Sequence, residues 1–212
     1  MPLLPVKKVQ LFYVYDPMCS WCWGFSPTWL ALQQAIKDKL PEVDIHYLLG
    51  GLAADSEDPM PEDMQQFLTQ TWHKIASQLG TEFNFDFWTK CKPRRSTYPA
   101  CRACLIARSF GLEEKMNLAI QQAYYLQAQN PSDDSTLIKL AGQLGLNETD
   151  FCEQLSSPVT QLRLMVEIEK AHELPIQGYP SLVLSIDGKL HSIAIDYQRW
   201  ENSFQQIKKA IS

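Results

Sequence analysis

Hydrophobic and polar positions change period several times along the chain, and each change marks an element. Residues 9–15 read Val-Gln-Leu-Phe-Tyr-Val-Tyr, a β-branched and aromatic run that predicts a buried strand. Shortly afterwards Trp29, Leu30, Leu32, Ala35, Ile36 and Leu40 recur at helical spacing, and Pro41 stops the pattern. Residues 43–49 alternate and then turn apolar, which predicts a second strand beside the first, broken by Gly50 and Gly51. Strand, helix, strand is by default a right-handed βαβ unit.

The middle of the chain reads as helices with polar breaks. Residues 54–61 are acidic and proline-containing and read as a linker, the first expected domain boundary. Over 62–79 Met64, Phe67, Leu68, Trp72, Ile75 and Leu79 form one stripe, ended by Gly80. Residues 83–92 read as an aromatic-rich loop. Pro99 suits the first turn of a helix running to Phe110, with Gly111 as its stop. Helices are expected over 113–129, 133–144 and 148–155, with Ser132 or Asp133 capping the second. Pro158 opens another, carrying Leu162, Leu164, Met165, Ile168 and Ala171. A return loop over 172–178 leads to strands at 181–186 and 190–195, which flank Asp187-Gly188, a strong hairpin signal. Trp200, Phe204, Ile207 and Ile211 mark a closing helix.

Composition narrows the class without naming a function. At 212 residues the chain suits one compact unit or a domain with a large insertion, and 45% hydrophobic content is ordinary for a globular protein. Against 24 acidic residues stand 19 basic ones, a net charge of −5, so nucleic acid and membrane surfaces are not expected partners. No apolar stretch approaches the ~20 residues a bilayer span needs. Residues 1–8 lead directly into the first strand without a basic, then apolar, then small-residue leader, and a cytoplasmic location is expected from that. Cytosolic thiols are mostly kept reduced, so six cysteines here do not read as a stapled scaffold.

Candidate chemistry concentrates where the first strand hands over to the first helix. Residues 15–27 read Tyr-Asp-Pro-Met-Cys-Ser-Trp-Cys-Trp-Gly-Phe-Ser-Pro. Cys19 falls near the helix start, where unpaired N–H groups and the positive end of the helix dipole favour an anion, here a thiolate. Cys22 lies about one turn in and is expected to be more buried. Two cysteines at this spacing can close a small disulfide and open it again, with Cys19 attacking and Cys22 resolving. Cys-x-x-Cys spacing also serves zinc, or arises by accident.

The surrounding residues resemble the thioredoxin superfamily: a strand, Cys-x-x-Cys, and a helix containing Pro27, five residues past Cys22. Gly178-Tyr179-Pro180-Ser181-Leu182-Val183-Leu184 resembles that superfamily's other landmark, a cis proline that opens a strand and lies against the dithiol. The long gap between the landmarks, and the run Cys-Ser-Trp-Cys-Trp-Gly-Phe, resemble the DsbA-like branch, specifically its protein-disulfide-isomerase group. The resemblance implies an α/β thioredoxin-like fold with a large all-α insertion. Residues 1–53 and 173–212 would form the thioredoxin-like domain and 54–172 the helical one. It implies a thiol–disulfide oxidoreductase or isomerase acting on protein or peptide disulfides, with glutathione or another cellular reductant as electron partner. No cofactor beyond the Cys19–Cys22 pair is expected.

The remaining residues carry several readings. Ser20 and Trp21 would tune the pair. Asp16, three before Cys19, would carry a proton for the buried cysteine or simply cap the helix. Trp21 and Tyr179, with Pro180, would form an apolar substrate rim, whereas Trp23 and Phe25 read equally as core. Cys101-Arg102-Ala103-Cys104 is a second Cys-x-x-Cys, expected mid-helix as reduced, metal-free thiols packed in the core. Cys91 and Cys152 read as isolated, and His46, His73, His172 and His191 form no Cys–His pattern. Two other functions compete. Kappa-type glutathione transferases and hydroxychromene-carboxylate isomerases share the inserted fold but typically carry Ser where this chain has Cys19. A non-catalytic peptide-binding module would use the aromatic rim alone.

Overall fold

The computed structural model describes residues 8–212. The stretch read above for a leader lies outside them, except for Lys8. Strand β1 (Val9–Tyr15) is buried at every position but Gln10, as its largely apolar run requires of a central strand. It pairs in parallel with β2 (Val43–Leu49) and antiparallel with β3 (Ser181–Ile186), which pairs antiparallel with β4 (Lys189–Ile193). The sheet order is β2-β1-β3-β4. Helix α1 (Ser20–Lys39) connects β1 to β2 and buries Cys22, Phe25, Trp29, Leu32 and Ile36 on one stripe. It runs through Pro27, whose missing N–H leaves one helical bond unmade. Helix α9 (Trp200–Ile211) buries Phe204 and Ile207 and closes the chain.

Between β2 and β3 the chain is helical: α2 (Glu62–Leu79), α3 (Phe87–Lys90), α4 (Tyr98–Arg108), α5 (Glu113–Tyr125), α6 (Asp134–Gln143), α7 (Glu148–Leu155) and α8 (Pro158–His172). Trp72 of α2 anchors an aromatic core here, stacked on Phe83 at 5.1 Å and edge-on to Tyr125 at 5.2 Å. A charged knot joins these helices to the sheet. Arg108 forks between Glu113 and Glu167, at 2.6 Å to each. Glu113 accepts from Tyr15 Oη, and Glu167 accepts from the Leu49 amide. Each carboxylate thus serves a guanidinium and one sheet donor, which meets the condition under which a buried ion pair is tolerated.

Several expected boundaries move, for local reasons. Helix α5 stops at Tyr125, not at 129, and Ala128 takes a positive φ of 51°. Helix α4 ends at Arg108, short of Phe110, and the turn beyond it closes on Gly111 at φ 70°. Strand β4 ends at Ile193 because the Ala194 amide and carbonyl bond to Gln206 and Ser203 of α9, not to the sheet. The expected loop at 83–92 contains the single turn α3. The 54–61 segment is held to the helices: Asp55 takes a bidentate bond from Arg102, and Met60 is buried. On α2 only Trp72 and Ile75 of the expected stripe are buried, and Phe67 is 61% exposed.

Candidate active site

β1 delivers its last residue, Tyr15, to a tight turn. Asp16 Oδ1 accepts from the Met18 amide at 2.8 Å, the Asp16 carbonyl accepts from the Cys19 amide at 3.0 Å, and the Met18 carbonyl accepts from Tyr125 Oη. This turn places Cys19 as the N-cap of α1, extended at φ −79° and ψ 116°. A sulfur therefore occupies the position where a side chain receives the helix's orphan amides. Cys19 Sγ accepts from the Cys22 amide at 3.3 Å. An N–H pointing at sulfur stabilises a thiolate more than a thiol. From the opposite side the thiol donates to the Tyr179 carbonyl at 3.4 Å.

Cys22 sits inside the first turn, with no exposure. Burial pushes its thiol pKa well up, and the hydrogen bond and charge of Cys19 push it the same way. Cys19, at 6% exposure, lines a recess of about 230 Å³. The two sulfurs thus differ in access, as their positions on the helix require.

Tyr179 and Trp21 both line this recess. The Tyr179–Pro180 peptide is cis. Tyr179 Oη donates to the Gly50 carbonyl at 2.8 Å and lies 3.3 Å from His172 Nε2, a contact no sequence pattern flagged. A Cβ on Gly50 would fall 2.1 Å from the Tyr179 ring, so the glycine is required by the close approach of that ring. Pro180 itself is buried and does not line the recess. Trp21 is half-buried, edge-on to Tyr197 at 5.2 Å, with Lys74 Nζ 5.8 Å from its ring. Ser20 is buried at the recess wall. Phe25 is core, and Trp23 is partly buried, stacked on Tyr125.

Asp16 is fully buried behind the turn and does not cap α1. Its Oδ2 accepts from the Leu52 amide and from Thr97 Oγ1, each at 2.7 Å, and from Cys101 Sγ at 3.5 Å. Burial raises its pKa, although these hydrogen bonds pull the other way. Its charge also pushes the Cys22 thiol up. Cys101 and Cys104 lie inside α4 with no exposure, and burial raises both thiols. Among the described residues no three His, Cys, Asp or Glu side chains converge as metal ligands, and the two cysteine pairs do not meet. Cys91 donates to the Ala128 carbonyl, and Cys152 is exposed.

Sequence periodicity did not identify Phe67, Leu68, Leu52 or Arg95 as part of the recess that Cys19 lines. Phe67 and Leu68 carried a signal, but a stripe of apolar residues does not distinguish a core from a cavity wall.

Comparison with known proteins gives the same architecture. Residues 10–208 match the family described as the DSBA-like thioredoxin domain. The structure is similar to a candidate protein disulfide isomerase from Nitrosomonas europaea, with TM-score 0.80, 27% identity, and coverage of 96% of this chain and 98% of that one. It is also similar to the cytosolic disulfide reductase DsbM from Pseudomonas aeruginosa, with TM-score 0.76, 23% identity, and coverage of 96% and 100%. DsbM is also solved with GSH. Among curated sequences, the ClpXP adapter protein SpxH of Bacillus subtilis is 24% identical over 182 residues, covering 84% of this chain. The chain spans only 58% of that relative's length.

Proposed function

The chain belongs to the DSBA-like thioredoxin domain family, and from that premise we propose that it reduces or isomerises protein and peptide disulfides through Cys19 and Cys22. The observation that carries this reading is the asymmetry of the pair: one sulfur caps a helix at the wall of a recess, the other lies sealed one turn below. In the forward step the Cys19 thiolate attacks one sulfur of a substrate disulfide. That S–S bond breaks, a Cys19–substrate disulfide forms, and the departing sulfur leaves as a thiolate that takes up a proton. Cys22 then loses its proton and attacks Cys19 Sγ, closing the Cys19–Cys22 disulfide and releasing the second substrate thiol. Two electrons pass from the dithiol to the substrate, and a small thiol such as glutathione returns them.

Tyr179 and Trp21 would hold the substrate, Pro180 would hold the Tyr179 carbonyl against Cys19, and Ser20 and Asp16 would tune the pair. The setting we propose is the cytoplasm, where a reducing poise favours reduction or isomerisation over net oxidation; DsbM is described as cytosolic. No helix among the described residues is long and apolar enough to cross a membrane.

Insulin-disulfide reduction with a glutathione-regenerating couple tests the reading, and recovery of a scrambled disulfide protein separates isomerase from reductase. Turnover no faster than the uncatalysed rate overturns it. The SpxH relatives favour a second reading, a protein-binding adapter that uses the same recess without turnover. Undiminished partner capture by a Cys19→Ser variant, with no insulin reduction by the wild type, would select it. Glutathione conjugation without disulfide turnover would instead select the transferase-like alternative.

A further inference from the structure

The recess beside Cys19 holds an unbalanced charge. Its walls are largely apolar, with Met18, Leu52, Phe67, Trp72 and Tyr179 among them, and none of its lining side chains is a carboxylate. Two guanidinium groups stand there, Arg94 and Arg95. Arg94 is committed to the fold: it pairs with Asp133 at 2.8 Å, donates to the Ser132 carbonyl and faces Glu57 at 3.8 Å. Arg95 is half-buried and has no hydrogen bond or ion pair among the described residues. A guanidinium standing on a largely apolar wall with no carboxylate beside it is free to take an anion from the recess. Tyr124, also on that wall, is itself buried.

An anion arriving with the substrate would supply the missing partner. We propose that Arg95 anchors a carboxylate of the compound that reacts at Cys19, making the site selective for small acidic thiols and disulfides. The size agrees, since about 230 Å³ falls below the roughly 300–1,000 Å³ of drug-sized pockets and suits a small ligand. A planar guanidinium suits this task because it can hold a carboxylate through two parallel hydrogen bonds. The inference rests on the reading of Cys19 as the exchanging thiol.

The test uses probes that cannot exchange, so that binding is judged apart from turnover. S-methylglutathione keeps both carboxylates, and its diethyl ester keeps neither. Calorimetry on the full chain should show the acid binding about tenfold more tightly than the ester, as loss of one charged hydrogen-bond partner predicts. Arg95→Met should erase that preference by weakening the acid alone, while Arg95→Lys should keep part of it. An unchanged melting curve for Arg95→Met shows that the fold is intact. Equal affinity for the two probes, binding of neither, or a preference that survives Arg95→Met overturns the proposal. So does an Arg95-dependent preference seen only with an S-methylcysteine peptide bearing Asp over one bearing Asn, since the carboxylate would then come from a protein. Failure of the wild type to reduce hydroxyethyl disulfide, a neutral substrate, counts against the exchange function itself and leaves the binding result standing.

Discussion

Cys19–Cys22 and Cys101–Cys104 share one spacing and almost nothing else. Cys19 has left the helix: it is an extended N-cap, its sulfur receives the Cys22 amide, and it opens on a recess. Cys101 and Cys104 are both inside α4, and no part of either reaches solvent. Residues three apart on a regular helix hold their Cβ atoms roughly 5–6 Å apart, wider than the roughly 3.5–4.5 Å a disulfide needs. At a helix start the first residue is free of helical dihedrals, and that freedom would let the pair close. The second pair packs instead, with Cys101 donating to Asp16 and Cys104 lying beside Tyr15 and Glu113. The motif is therefore two motifs, distinguished by where the helix begins.

The largest expected effect comes from removing the sulfur that lines the recess. Cys19→Ser should lower insulin reduction by on the order of 10³-fold or more, because Cys22 is sealed and its thiol is pushed up. Residual turnover within tenfold of wild type would break the contrast in access. Next comes Cys22→Ala, which should still attack but accumulate a covalent Cys19–substrate adduct, visible by mass spectrometry of the unreduced protein. Equal alkylation of the two thiols at neutral pH would contradict the assigned order of attack.

Asp16→Asn sharpens the comparison, because Asp16 touches both regions. An amide must put its nitrogen against donors in either orientation, the Met18 amide at the Oδ1 position or Leu52, Thr97 and Cys101 at Oδ2, and the change should destabilise the fold by about 1–3 kcal/mol in denaturant titration. The pH dependence has a defined direction. Asp16's folded pKa lies above 3.8, so the folded state holds its proton more tightly than the unfolded chain does. That contribution to stability is fully present below 3.8 and is lost as pH rises through the raised value. The stability difference between wild type and Asp16→Asn should therefore shrink with rising pH across that window. A difference that grows instead would mean that the hydrogen bonds outweigh burial. The smallest effect is expected from Cys101→Ala with Cys104→Ala, which should leave turnover within about threefold, under ~1 kcal/mol of barrier. Loss of turnover with an unchanged melting curve would give the second pair a chemical role.

Local pattern determined much of this protein. A largely apolar run, broken only at Gln10, marked β1 as a central strand, and period and punctuation gave the helical stretch between β2 and β3 and the hairpin turn at Asp187 and Gly188. The position of Cys19 at a strand-to-helix junction was legible for the same reason, since a cap is decided by its immediate neighbours. Tertiary structure decided the rest. The end of strand β4 shifted where side chains of another element took the backbone's hydrogen bonds, as Gln206 and Ser203 of α9 do at Ala194. Asp16 became a buried acceptor only because Leu52, Thr97 and Cys101 arrive from 36, 81 and 85 residues away. Phe67 sits on the same apolar stripe as Trp72, yet Trp72 is buried and Phe67 is left exposed, and adjacent arginines part company because only Arg94 meets Asp133. Periodicity records which residues share a face. What that face meets depends on contacts between segments far apart in the chain, and no local pattern encodes those.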